Sequence, residues 1–371
     1  MNKNLILKDL RIDLIFGARP NFMKIAPILK AYEQDTAFRQ AVSFRLVHTG
    51  QHFDANMSDL FFEQLNIRKP DVYLNCGGGS HAEQTGKIMI AYEKLLQEQP
   101  CNLCIVVGDV NSTMACTIVA KKMGITVAHV EAGIRSGDLT MPEEINRIVT
   151  DSIADYFFTT TPQAGAALQQ SGVKPAAIHF VGNTMIDTLL GNQHRLTQPP
   201  VWQNAGLEEK GYFLLTLHRP SNVDDPKKLA SLMQTVITHT HGVPVVFPVH
   251  PRTRKNLETL GAAYPNLHCI EPLGYLDFIY LVKYAKGVIT DSGGITEETT
   301  VLHVPCITLR KSTERPETVT IGTNVLAGDD EALLSQYLEQ IAANNWKKGG
   351  IPELWDGKTS ERIIGHLKAI L

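Results

Sequence analysis

No run of apolar residues in this chain approaches the roughly 20 needed to cross a bilayer. The opening Met-Asn-Lys-Asn-Leu-Ile-Leu-Lys-Asp meets charge too early for a secretory signal. A cytoplasmic location is the resulting expectation. Charge of one sign is equally lacking: 35 Lys+Arg against 38 Asp+Glu leave a net −3. Such a chain has no field to draw nucleic acid or an anionic membrane, so neither is expected as a partner, and a bound anion must be held by local groups. Cysteine is sparse, with six residues mainly in or beside apolar runs, where reduced, buried thiols are expected. Cys101-Asn-Leu-Cys104 has CxxC spacing, but it has no second pair and precedes a strand, so redox and zinc roles are not expected. His239-Thr-His241 lies in a polar stretch and reads as solvated surface. Two phosphate-binding signatures are also missing. There is no Gly-x-x-x-x-Gly-Lys-Ser/Thr run, which argues against P-loop hydrolysis. No Gly-x-Gly-x-x-Gly follows the first strand, and Gly77-Gly-Gly79 reads as a flexible loop, so no nicotinamide cofactor is indicated.

What is present is a regular alternation. At 371 residues the chain is too long for one ordinary core, and 43% hydrophobic with 20% charged residues is the balance of a globular enzyme. Short β-branched runs predict strands at Ile12–Phe16, Ser43–His48, Leu103–Val107, Thr126–Val130, Tyr156–Thr160 and Ile178–Val181. Further runs follow at Tyr212–Thr216, Pro244–Phe247, Leu267–Ile270, Gly287–Thr290 and Pro305–Thr308. Between them, Pro20–Tyr32, His81–Leu96, Ser112–Met123 and Leu229–Thr240 carry apolar residues at helical spacing. Strand and helix in alternation predict an α/β fold of two doubly wound parallel sheets. Residues 191–210, with Gln-Pro-Pro and Asn-Ala-Gly, read as the linker. Two such sheets are expected to face each other across a cleft, with ligands beyond the carboxyl ends of the strands.

Those strand ends carry most of the chemistry. After the first strand comes Gly17-Ala-Arg19-Pro-Asn-Phe-Met-Lys24; after the second, Thr49-Gly-Gln51-His52. The third runs into Gly108-Asp109, and the fourth into Glu131-Ala-Gly-Ile-Arg135, ahead of Met141-Pro-Glu143-Glu144-Ile-Asn146-Arg147. In the second half, Leu217-His218-Arg219-Pro-Ser-Asn222 follows a strand, and Asp291-Ser292-Gly293-Gly294 follows another and opens a helix. Alone, Asp109 could turn the chain, Glu143 and Arg147 could be a surface pair, and the glycines could serve a tight turn. Independent packing accidents would not gather acids, bases and cations on one rim. With Arg315 in Thr313-Glu-Arg-Pro-Glu317, the set suggests a phosphorylated ligand whose anion meets the bare N–H groups of Ser292–Gly294.

Seven stretches, in order from about the first strand to Gly328, resemble the non-hydrolysing UDP-N-acetylglucosamine 2-epimerases. They are Gly17–Lys24, Thr49–His52, His129-Val-Glu-Ala-Gly133, Pro142-Glu-Glu-Ile-Asn-Arg147, Gly182-Asn-Thr184, Asp291–Glu298 and Thr313–Glu317. The resemblance implies a GT-B architecture, two Rossmann-like domains around a central cleft. Residues 1–190 would carry the catalytic carboxylates and 211–357 the UDP site, with 358–371 as a helix packing back on the first domain. It implies Asp109, Glu131 and Glu143 as catalytic carboxylates and His218 as a histidine beside the diphosphate. Arg19, Lys24, Gln51, Asn146 and Arg147 would line the sugar and phosphate region, and Phe278 would meet the uracil. Ser292, Gly293 and Gly294 would bind diphosphate, Glu298 the ribose hydroxyls, and Arg315 would be a further cation. No cofactor and no metal are implied. A UDP-sugar substrate, a homodimer and a role in polysaccharide and cell-envelope biosynthesis are. Many bacterial members have His-Arg-Arg-Glu and Trp-Pro-Glu-Glu where this chain has His218-Arg-Pro-Ser and Met141-Pro-Glu-Glu. The activation by a second substrate molecule associated with that neighbourhood is therefore not carried over. An epimerase of a modified UDP-2-acetamido sugar, a hydrolysing epimerase, a glycosyltransferase and a nucleotide-sugar sensor stay open as alternatives.

Overall fold

The structure, a computed structural model, describes residues 10–51, 61–259 and 264–371, apart from the side chains of Arg19, Glu258 and Thr259. The chain forms two compact units, Met1–Gly191 with Glu353–Leu371, and Asn192–Pro352.

In the first unit, β1 (Leu10–Phe16), β2 (Val42–His48), β3 (Val72–Tyr73), β4 (Leu103–Val107), β5 (Thr126–Val130), β6 (Tyr156–Thr159) and β7 (Ile178–Phe180) form one parallel sheet. Its order is β3-β2-β1-β4-β5-β6-β7. The second unit holds β8 (Phe213–Thr216), β9 (Val245–Pro248), β10 (Leu267–Ile270), β11 (Gly287–Thr290), β12 (Cys306–Thr308) and β13 (Asn324–Leu326), also all parallel, in the order β10-β9-β8-β11-β12-β13. The expected strands are present with ends moved by one or two residues. β3 and β13, two and three residues long, are additions that no apolar run announced.

Each sheet reverses direction once, between β1 and β4 and between β8 and β11. These are the switch points where adjacent strands feed loops to opposite sides and leave a crevice. The central strands need cover on both faces. All five residues of β4 are buried, and the helix His81–Glu98 presents Ile88, Tyr92, Leu95 and Leu96 at three- and four-residue spacing to the core containing Val106 and Val127.

Inside that core lies an ion pair. Arg45 on β2 donates from Nε and Nη2 to the two carboxylate oxygens of Asp13 on β1, both at 2.7 Å, and the Tyr92 hydroxyl donates to Asp13 at 3.0 Å. Asp13 is completely buried. Removing one partner of such a pair strands the other charge in a dry interior. Arg45→Met is expected to destabilise the protein by about 3–5 kcal/mol. Chemical denaturation checks this, and Asp13→Asn in the same background should recover part of the loss.

The chain re-enters the first unit at Glu353. Trp355, buried, donates from its indole nitrogen to the Thr160 carbonyl at 3.3 Å. The helix Thr359–Ile370 then starts on Asp187, whose carboxylate accepts from the Thr359 and Ser360 N–H groups at 3.0 and 2.7 Å, while Ile363, Ile364 and Leu367 are buried. Within residues 192–211, Val201 and Leu207 join the core of the second unit beside Tyr212 and Leu214.

All six cysteines are free; five are buried and Cys269 is exposed. Burial pushes the Cys101 thiol up to about 12, which makes it a poor nucleophile. His239 and His241 both hydrogen-bond Glu339 at the surface. Among the described residues no helix is long and apolar enough to cross a membrane, and no group of three or more His, Cys, Asp or Glu could hold a metal ion.

Candidate active site

Adjacent parallel strands deliver the residues that follow them to adjacent positions. β4 and β5 pair up to Val107 opposite Val130, so Gly108-Asp109 and Glu131 leave the sheet side by side. Glu131 has φ +68°, a left-handed backbone that is costly for a residue with a side chain and typical of functional sites. Its buried carboxylate forms an ion pair with Lys24, which comes from the helix Arg19–Gln34 after β1, 107 residues away in sequence. Glycine suits position 108, where φ is +71° and a Cβ would crowd Lys24 Nζ at 3.0 Å.

The helix Pro142–Ile153 closes the other side. Arg147 donates from Nη2 to Asp109 Oδ2 at 2.5 Å and from Nη1 to Glu144 Oε2 at 2.7 Å. Asn146 donates to the Asp109 carbonyl at 2.8 Å. Glu144 also accepts from the Ser136 and Gly137 N–H groups at 2.9 and 3.1 Å. Burial raises the Glu144 pKa, but these donors and Arg147 outweigh it, so the group sits below the usual carboxylate range. Glu143, its neighbour in sequence, is exposed on the first turn of the same helix. Behind this layer, His129 on β5 is fully buried between Asp151 Oδ1, 2.7 Å from Nδ1, and the Gly108 carbonyl, 2.8 Å from Nε2. Asp151 further accepts from the Gly133 N–H and from Arg135 at 3.0 and 2.6 Å. Gln51 accepts from both the N–H and the hydroxyl of Ser112, at 2.9 and 2.7 Å. The Arg19 side chain and His52 lie outside the described residues.

In the second unit the same logic brings the ends of β8 and β11 together, with Thr216 opposite Thr290. Asp291, completely buried, is the hub of that junction. It accepts from the N–H groups of His218 and Arg219 at 3.0 and 2.9 Å and from Asn222 at 3.2 Å, and its Oδ1 lies 2.8 Å from His218 Nδ1. Burial pushes its pKa up, yet His218 and the backbone donors bring it below the usual range. His218, with its side chain 43% exposed, is thus held through Nδ1. Ser292 precedes the helix Gly293–Val301 without capping it, its own N–H turned back to Thr290. Ser292 thus gives the first-turn N–H groups of that helix no side-chain cap. Farther along, Glu298 is buried beside Tyr275 and Glu297, and Glu297 pairs with Arg315. Burial is the main cause raising Glu298 to about 8; Glu297 adds to it, and the Tyr275 hydroxyl pulls it part of the way back. Phe278 is half-buried on the helix Tyr275–Tyr284.

The structure thus joins Lys24 to Glu131, Asp109 to Asn146 and Arg147, and His218 to the turn of Ser292. It also supplies partners that were not picked out from sequence: Asp291, Glu144, His129 with Asp151, and Tyr275. For Asp291 the signal was available, since an acid directly after an apolar strand is what drew attention to Asp109. For Glu144 it was not, because which of two successive glutamates turns inward depends on helix phase.

The family model for UDP-N-acetylglucosamine 2-epimerase matches residues 34–368. The chain belongs to that family. A UDP-N-acetylglucosamine 2-epimerase of Methanocaldococcus jannaschii is 40% identical, with 96% of this chain and 98% of that protein aligned. The UDP-2,3-diacetamido-2,3-dideoxy-D-glucuronate 2-epimerase of Pseudomonas aeruginosa is 43% identical over 96% and 99% of the two chains. A crystal structure of the M. jannaschii enzyme in complex with UDP-GlcNAc and UDP superimposes with a TM-score of 0.85, covering 97% of this chain and all of that one. The α/β, GT-B class expected from the strand pattern and the resemblance is borne out. The protein is an isomerase, a UDP-sugar 2-epimerase by family.

Proposed function

We propose that the enzyme interconverts UDP-N-acetylglucosamine and UDP-N-acetylmannosamine without a cofactor, by eliminating UDP and adding it back. The observation that carries this reading is the set of acids on the β4 and β5 ends and the following helix, with Glu131 held in a strained backbone beside Lys24. Carbon 2 of the sugar carries an N-acetyl group and has no adjacent carbonyl, so its proton is not removable directly at useful rates. Departure of UDP from carbon 1 builds positive charge there and makes that proton acidic enough for a carboxylate. The product pair is a 2-acetamidoglucal and UDP. Re-addition of UDP with protonation from the opposite face gives the epimer, so two carboxyl groups must serve opposite faces, one as base and one as acid. Asp109, Glu131 and Glu143 are the proposed proton carriers. His218 and the open first turn at Gly293 and Gly294, with Arg315, are proposed to take the diphosphate charge as it develops. Lys24, Arg19, Gln51, Asn146 and Arg147 would line the sugar and phosphate region, with Phe278 against the uracil and Glu298 on the ribose.

A second reading is supported by the 43% identity to the diacetamidoglucuronate enzyme: the sugar is a modified UDP-2-acetamido sugar. One experiment addresses both. Each UDP-sugar is incubated with the protein in deuterated water and followed by NMR. Epimer with deuterium at carbon 2, and no accumulating free UDP, is the expected result for the true substrate. Free N-acetylmannosamine with UDP would mean a hydrolysing enzyme, and epimer without deuterium would end the elimination route. With oxygen-18 in the bridge between carbon 1 and phosphorus, scrambling into non-bridging positions is expected as well.

Glu298 adds a pH prediction. Its folded pKa of about 8 lies above the ordinary 4.5, so the stability linked to its protonation is full below 4.5 and is lost as pH rises through about 8. Ribose hydroxyls donate best to an ionised carboxylate. UDP binding is therefore expected to release protons between those limits, and Glu298→Gln should abolish the release. Calorimetry in buffers of different ionisation heat checks this, and buffer-independent heats for the unmutated protein would refute it.

A further inference from the structure

We infer that His129 and Asp151 are positioning residues, forming a clamp that sets where the Asp109 carboxylate stands relative to Glu131. The inference rests on the reading of these acids as proton carriers. Arg147 and Asp151 are four residues apart on the helix Pro142–Ile153, and so share one face. That face grips two consecutive residues at two points. Arg147 takes the Asp109 side chain at 2.5 Å, while Asp151 holds His129 at 2.7 Å, whose other nitrogen meets the Gly108 carbonyl at 2.8 Å. Because the peptide between Gly108 and Asp109 is planar, fixing the Gly108 carbonyl fixes the plane from which Asp109 departs. His129 is also two residues before Glu131 on the same strand exit, so both acids are referenced to one buried ring.

Both ring nitrogens of His129 face acceptors, a carboxylate and a carbonyl. Only a ring with protons on both satisfies the two contacts at once. Asp151 suits that state: it is 3% exposed, and Gly133 and Arg135 donate to it as well. Burial raises its pKa, but His129 and Arg135 hold it below the usual carboxylate range. The clamp is thus a buried hydrogen-bonded link behind the site, touching no substrate in the proposed reaction.

The test uses the whole protein and the variants Asp151→Asn and His129→Gln. Misplacing a proton carrier by about an ångström costs roughly a hundredfold in rate. Both variants are expected to lose about that in kcat and in carbon 2 deuterium exchange, with UDP affinity little changed, since the groups proposed for the uracil and the ribose, and His218 with the Gly293 turn, lie in the second unit. Folded variants with undiminished kcat would overturn the proposal, as would a loss of UDP affinity in step with kcat. Nitrogen-15 NMR of the unmutated protein should show a hydrogen bond from His129 Nδ1 to the Asp151 carboxylate, and Asp151→Asn should shift that signal; an Nδ1 signal unmoved by Asp151→Asn overturns the clamp. That spectrum needs no turnover. An unmutated protein that neither epimerises nor exchanges would reject the reaction while the ring signal still decides the clamp.

Discussion

Glu131→Gln is expected to reduce epimerisation about a thousandfold, within the range for loss of a general acid or base. The amide has nearly the shape of the carboxylate and can still accept the Lys24 hydrogen bond, but it cannot carry the carbon 2 proton. UDP affinity should change little, because the groups proposed for the uracil and the ribose, and His218 with the Gly293 turn for the diphosphate, lie in Asn192–Pro352. Lys24 loses its counter-ion in this variant, and breaking a buried pair outright costs about 3–5 kcal/mol. Retention of the hydrogen bond should keep the stability loss below that, so a thermal melt run alongside separates lost chemistry from lost fold. Deuterium uptake at carbon 2 at the unmutated rate, in a folded Glu131→Gln protein, would remove Glu131 from the proton path. A loss in both uptake and UDP binding would instead point to a collapsed site.

Gly293→Val is expected to weaken UDP binding about a hundredfold. Gly293 starts the helix proposed to receive the diphosphate, and a Cβ there would stand 2.7 Å from Glu314 Oε1 and 3.4 Å from Arg310 Nη1. Those atoms are not free to drift. Arg310 Nη2 and Glu314 Oε2 form an ion pair at 2.7 Å, and although burial raises the Glu314 pKa, Arg310 and Arg315 bring it to about 2. A branched side chain must therefore push apart an ion pair or shift the helix start. Either displaces N–H groups whose bonds to a charged ligand are worth about 1.5–3 kcal/mol each. Losing one or two of them gives roughly the stated factor. Gly293→Ala, which adds only the Cβ, should lose less. Titration calorimetry with UDP decides it, and undiminished affinity in folded Gly293→Val would take the diphosphate away from this turn.

The two sites differ in how much of them could be read beforehand. Glu131 is legible as a candidate because it follows an apolar strand and lies in the motif His129-Val-Glu-Ala-Gly133. Its left-handed backbone could not be read, since no local signal forces φ +68° on a glutamate. The pairing of Glu131 with Lys24 is equally hidden, because the two stand 107 residues apart in sequence. Asp291 is legible in its turn, but its partner is not. Its contact with His218 spans 73 residues and exists because β8 and β11 lie side by side.

The classes of element and their order are written in the local pattern of the chain. Alternating apolar runs and helical periods are short-range patterns, and burial on both sheet faces leaves them little freedom, so eleven expected strands survive with small shifts at their ends. The family is written there too, because seven motifs in fixed order are a stronger constraint than any one of them. Tertiary structure alone decided which strand ends are neighbours, and with that which acid meets which base. It turned Glu144 inward to Arg147 and left Glu143 exposed, a matter of helix phase against the sheet. It extended the sheets by β3 and β13, whose two and three residues are too few for any pattern and are held by pairing to a neighbour. The physical reason is common to all of these: periodicity is written along the chain, whereas a hydrogen bond between distant residues depends on strand order, which no local stretch encodes.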